Sequence, residues 1–173
     1  MILWTELARR SLPDVSNVGV TRTREVGQML SSAPNPNFEV EVRNILLGMP
    51  YLQWLGLSFI RISAGQVDLR MPLRPEITFD GRAVQAGPIG SLLDFAGGAA
   101  AFTLAPEGGM LATSDFTVKL LAPAVGEAFI GRGAVLSTSR STTVSRADVY
   151  AVDRGIEKLV ATGLVSMRAI ARS

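Results

Sequence analysis

The chain has 173 residues, 47% of them apolar and 18% charged, enough for one compact domain with a core and too apolar for global disorder. Basic and acidic residues number 17 and 15, a balance that excludes a protein built chiefly to hold nucleic acid. It contains no Cys and no His, so disulfides, thiol nucleophiles, thiolate or imidazole metal sites and Ser-His-Asp chemistry are excluded. Chemistry falls to carboxylates, hydroxyls, Lys, Arg, Tyr or backbone amides.

Residues 1–36 read as an extension, with a short amphipathic helix over Ile2 to Ser11 followed by Pro, Gly, Ser and Asn. The short apolar start is interrupted by Glu6 and lacks a basic lead, so no secretory signal is expected and a cytoplasmic protein is. A core domain is expected over 37–173. Phe38 to Leu47 fits a helix, and Met49 to Gly56 reads as a helical turn closed by its glycine. From Leu57 the period becomes two. Leu57 to Ile62 and Gln66 to Met71 read as strands joined at Ala64-Gly65, with Val67, Leu69 and Met71 inward and Asp68 and Arg70 outward.

A long helix follows, with Gly87-Pro88 as its start on the rule that Pro tolerates the first helical position. Ile89, Leu92, Leu93, Ala96, Ala99 and Ala100 give helical spacing. Ala86 to Ala105 is apolar enough to suggest a membrane span, but Asp94 at its middle and its many Gly and Ala residues favour a buried helix. Met110 to Leu121, Phe129 to Ser137, Thr142 to Val152 and Leu159 to Ile170 are four further strands with short, antiparallel connections. One antiparallel sheet of five to six strands wrapped around one long central helix, an α+β architecture, is the simplest packing.

Asp94 is the most informative residue. Its helical neighbours are Gly90, Ser91, Gly97 and Gly98, so no local cation neutralises it. Interior glycines each cost a helix about 0.5–1 kcal/mol relative to Ala, a cost that makes sense where something approaches that face closely. Two readings stand side by side: a catalytic carboxylate in a poorly hydrated crevice, its basicity raised by desolvation, or an Asp paired across an interface with an Arg from another strand, the glycines serving helix-to-helix contact. The N–H groups near Ala86, Gly87 and Ile89 form the positive helix end, able to polarise a carbonyl oxygen.

The pattern resembles the hotdog-fold thioesterases, in particular acyl-CoA thioesterases of the phenylacetate-pathway type. Those proteins carry an Asn, then a His-Gly-Gly, then a helix bearing Leu-Ala-Asp and small residues. The corresponding stretch here runs from Phe79 through Gln85-Ala86-Gly87 to Leu93-Asp94 and Gly97-Gly98. Thr113 to Pro123, Arg140 and Ala147-Asp-Val-Tyr150 resemble further family segments, and the likeness covers about Leu52 to Ile170. The motif His is Gln85, the first motif Gly is Ala86, the Asn is Phe79 beside Asp80, and a later Asn is Lys119.

The resemblance implies hydrolysis of acyl-CoA thioesters across a homodimer or homotetramer interface. Asp94 would be general base or nucleophile, and the amide near Ala86 and Gly87 would polarise the carbonyl. Gln85 would replace the His as a hydrogen-bond donor. Phe79, Asp80 and Gly98 would line the substrate; Ser91 and Thr113 or Ser114 would position water; Arg140 and Lys119 would meet coenzyme A phosphates. Arg146, alternating with buried positions, reads instead as a solvated strand residue. No cofactor is expected beyond the coenzyme A part of the substrate, nor any metal, nucleic acid or membrane partner. A non-catalytic acyl-CoA-binding module is the alternative. A hotdog hydratase, which needs His, is disfavoured, and a purely structural oligomer would leave Asp94 unexplained.

Overall fold

The computed structural model describes residues 33–170. The helix expected over Ile2 to Ser11 lies outside them. Two helices lead in, α1 (Phe38–Leu47) and α2 (Pro50–Leu55). Gly56 closes α2 in the left-handed conformation at φ 70°, which glycine adopts without steric cost. Strands β1 (Ser58–Ser63) and β2 (Gln66–Pro72) follow, then a single 3-10 turn, Pro75–Ile77, and the two-residue β3 (Ala83–Val84). The long helix α3 (Ala86–Phe102) comes next, then β4 (Met110–Leu120), the short β5 (Ala124–Val125), β6 (Ala128–Thr138), β7 (Thr142–Asp153) and β8 (Ile156–Ile170).

Six strands form one antiparallel sheet in the order β1-β2-β6-β7-β8-β4, and β3 and β5 pair separately. Alternation decides which face is inside. On β2, Val67, Leu69 and Met71 are fully buried; Arg70 is exposed, and Asp68 pairs with Arg61 on β1. On β7, Thr143, Ser145, Ala147, Val149 and Ala151 point inward, while Arg146 is exposed and pairs with Asp148. The β7–β8 hairpin turns through Arg154 and Gly155, both at positive φ, the geometry of a tight two-residue hairpin loop.

The sheet approaches α3 closely at β6, where two glycines lie against the helix. A Cβ on Gly133 of β6 would overlap the carbonyl oxygen of Ala96, and one on Gly131 would lie 2.9 Å from Leu92. The helix contributes small residues in return, Ala96, Gly97, Ala99 and Ala100, all buried. Burial is cheap to arrange with such residues, because Ala and Gly lose little or no side-chain entropy. Leu46 of α1 and Leu52 and Leu55 of α2 join the same core from the other side of α3.

The expected helix start needs correction. Pro88 is the third residue of α3, not the first; it is still tolerated, because the first four N–H groups of a helix have no partner inside it. The helix ends at Phe102. No helix among the described residues is long and apolar enough to cross a membrane.

Candidate active site

Asp94 lies near the middle of α3, on the side of the helix turned toward β4. Its Oδ1 accepts a hydrogen bond from Thr113 Oγ1 at 3.1 Å. Thr113 reaches the helix at an irregularity of the β4–β8 ladder, where the register shifts between Thr113 and Asp115. Such a bulge re-aims the side chains beside it. The extra residue is Ser114, whose hydroxyl bonds the carbonyl of Ser166 and is occupied there.

The half-buried carboxylate borders a cavity of about 220 Å³. Asp94, Gly98 and Thr113 form its polar end, and Leu46, Met49, Phe95, Phe102 and Met167 supply apolar walls. No Lys or Arg among the described residues forms an ion pair with Asp94. Burial pushes its pKa above the ordinary carboxylate value, and the Thr113 hydrogen bond opposes that rise in part.

The helix glycines divide into two kinds. A Cβ at Gly97 would lie 2.7 Å from Val165 Cγ2, so Gly97 serves the seating of α3 on the sheet. Gly98 instead lines the cavity, and a Cβ there would meet the Met167 sulfur at an ordinary 3.5 Å.

The other residues singled out by sequence cluster elsewhere. Gln85 is the N-cap position of α3 without a side-chain cap, and its Nε2 donates to the carbonyl of Thr78. Ala86 and Gly87 are exposed at the helix start, with open space beside Gly87. Asp80 accepts from the N–H groups of Arg82 and Ala83 and thereby shapes the preceding loop; these bonds hold its pKa below the ordinary value. Phe79 on that loop is 84% exposed. Ser91 donates to the carbonyl of Gly87 and shares a hydrogen bond with Tyr51. Lys119 is exposed near the end of β4, and Arg140 is exposed on the β6–β7 turn, past the C-terminal end of α3.

The structure thus brings Asp94, Gly98 and Thr113 together and leaves the helix start apart. Ala86 and Asp94 are eight residues apart on one helix, about 12 Å along its axis. One carbonyl cannot be held by the first and attacked through the second within a single chain. The roof formed by Leu46 and Met49 was not foreseen from sequence, because periodicity reports which residues are buried, not what they cover.

A six-stranded antiparallel sheet around one helix, with a lone carboxylate on that helix, defines the hotdog class. The sequence profile of the thioesterase superfamily matches residues 86–158. A thioesterase family protein from Silicibacter pomeroyi is 33% identical, with 78% of this chain and 99% of that chain covered and a TM-score of 0.75. The PaaI protein of the Escherichia coli phenylacetic acid degradation operon shares the fold at 17% identity, 82% and 99% coverage and a TM-score of 0.70. A thioesterase from Haemophilus influenzae does so at 17% identity, 73% and 87% coverage and 0.66. No curated protein matches the sequence significantly. The chain belongs to the thioesterase superfamily.

Proposed function

We propose that the protein hydrolyses acyl-CoA thioesters, with Asp94 as the acting carboxylate. The observation that carries this is a half-buried carboxylate without an ion-pair partner among the described residues, lining an apolar cavity. Its raised basicity suits proton abstraction. In the general-base route, Asp94 takes a proton from water while the water oxygen adds to the thioester carbonyl. The oxyanion is held by N–H groups at Ala86 and Gly87, at the positive end of α3. Its collapse expels the coenzyme A thiolate, which is then protonated. In the alternative route the carboxylate itself adds to the carbonyl, the coenzyme A thiolate leaves with the electron pair of the C–S bond, and water hydrolyses the resulting anhydride to the free acid and a restored Asp94 carboxylate. Thr113 orients the carboxylate in either route.

The 12 Å between the two halves calls for a second copy, so that the helix start of one protomer faces Asp94 of another. Strand β4 offers the surface. It is an edge strand of 11 residues, exposed along most of its length, with Phe116 and Leu120 open to solvent. Long apolar edges of this kind pair with another chain or aggregate, and a two-fold operation places equivalent edges together. Lys119 and Arg140, exposed and outside any ion pair among the described residues, suit coenzyme A phosphates.

Turnover of a panel of short, aromatic and long acyl-CoAs by the wild type and Asp94→Asn tests the proposal. The variant should lose at least about 100-fold, the low end of general-base contributions. Equal rates would remove Asp94 from the reaction. The non-catalytic alternative draws on Gln85, whose amide is turned back onto Thr78 and cannot carry a proton; binding of acyl-CoA without turnover by the wild type would establish it.

A further inference from the structure

The cavity behind Asp94 has a shape as well as a position. Its helical wall is a stripe, Asp94, Gly98 and Phe102 on successive turns, which runs about 12 Å along the axis. The β4 wall runs alongside it, with Thr113 at the Asp94 end and Leu111 toward the Phe102 end. The carboxylate therefore stands at one end of an elongated apolar slot, and the Phe102 ring stands at the other.

We propose that this slot is a length gauge for unbranched acyl chains of about six to eight carbons, with Phe102 as its stop. The inference rests on the acyl-CoA reading above and adds the substrate class. A methylene occupies about the volume of a water molecule, roughly 30 Å³. A slot of about 220 Å³ thus holds about seven. A bare aryl ring is a poorer match, since a cavity of about 150 Å³ already accommodates benzene and the Phe102 end would stay empty. Unfilled apolar space forfeits contacts on every wall. Longer chains gain nothing further, because the extra carbons remain in water.

The gauge is tested with non-hydrolysable S-substituted coenzyme A thioethers bearing ethyl, butyl, hexyl, octyl, dodecyl and phenyl groups, titrated by calorimetry into the full-length protein. Affinity should rise about fourfold per methylene up to the hexyl or octyl compound and then level off, with phenyl at least about fourfold weaker than octyl. Phe102→Ala removes a ring and should move the levelling point outward by about three carbons. Gly98→Ala, whose new methyl has ordinary room beside Met167, narrows the slot one turn from Asp94. It should weaken octyl binding at least about tenfold, and it serves if the Phe102 variant does not fold. Affinity still climbing at dodecyl, a flat series, or a levelling point unmoved in the folded variants would overturn the gauge. The matching acyl-CoA thioesters separate the two claims. The expected binding series without hydrolysis would leave the gauge standing and remove the thioesterase reading; Asp94-dependent hydrolysis indifferent to chain length would do the reverse.

Discussion

Two flanks of the same helix use glycine for opposite ends. Toward β6 and β8, Gly131, Gly133 and Gly97 are places where a methyl group has no room, against Leu92, the Ala96 carbonyl and Val165 respectively. Toward β4, Gly98 leaves a space that the fold does not fill. Glycine on the first flank lets backbone and sheet touch; on the second it leaves volume beside a carboxylate. The difference shows that a glycine-rich helix by itself says nothing of function; what distinguishes Gly98 is the open space beside an acid that has no ion-pair partner among the described residues.

The sharpest way to break the comparison is Gly133→Ala. The added methyl meets helix backbone, which no rotamer change relieves. The cost should exceed about 3 kcal/mol, the upper end of ordinary overpacking, read as a fall in the denaturant midpoint at unchanged slope. A midpoint like the wild type's would mean that α3 lifts from β6 at little cost, and the seat would lose its special standing.

Asp94 sharpens the other flank through pH. Its folded pKa is raised above the ordinary carboxylate value, with burial as the largest cause. As a general base it works deprotonated, so turnover should climb as pH rises through that raised value. Stability must move the other way. Between the unfolded and folded pKa values the native state binds more proton than the unfolded chain, so stability falls as pH rises through the window. At neutral pH the charged Asp94 therefore weakens the fold. Asp94→Asn should unfold at a higher temperature than the wild type at pH 7, with the gap closing as pH falls below both values. A variant less stable at every pH would show that the Thr113 hydrogen bond outweighs desolvation.

Much of the seat was legible in the sequence, and little of the slot. The alternation of Val67, Leu69 and Met71 marks the inner face of β2, and the wet face of β7 announces itself in Arg146. Gly56 marks the end of α2 because it must adopt a left-handed conformation. Asp94 stood out because a lone charge among Gly, Ala and Leu is conspicuous in any helical projection. The partition of Gly97 from Gly98 was not legible: both are neighbours of Asp94 on a helical wheel, and only the placement of Val165 and Met167 on β8 separates them. Phe79 and Asp80 were placed at the substrate by motif position, yet they lie on the loop leading to the helix start, remote from their own Asp94. Motif spacing alone does not tell which residues share a cavity within one chain.

The smallest expected effect is also the one that divides the two flanks most cleanly. Gly98→Ala should stabilise the protein by about 0.5–1 kcal/mol, because Ala has less backbone freedom to lose on entering a helix than Gly and its methyl meets Met167 at an ordinary distance. The same exchange at Gly133 unseats the helix. A glycine retained at position 98 against a local gain in stability is consistent with a requirement for space beside Asp94, since stability and function commonly pull apart at sites that bind ligand. Thermal unfolding of Gly98→Ala decides the matter. A higher midpoint with weakened binding of alkyl chains assigns the glycine to the slot. A lower midpoint means that Met167 cannot yield and that Gly98 belongs to the packing of α3 on β8, together with Gly97.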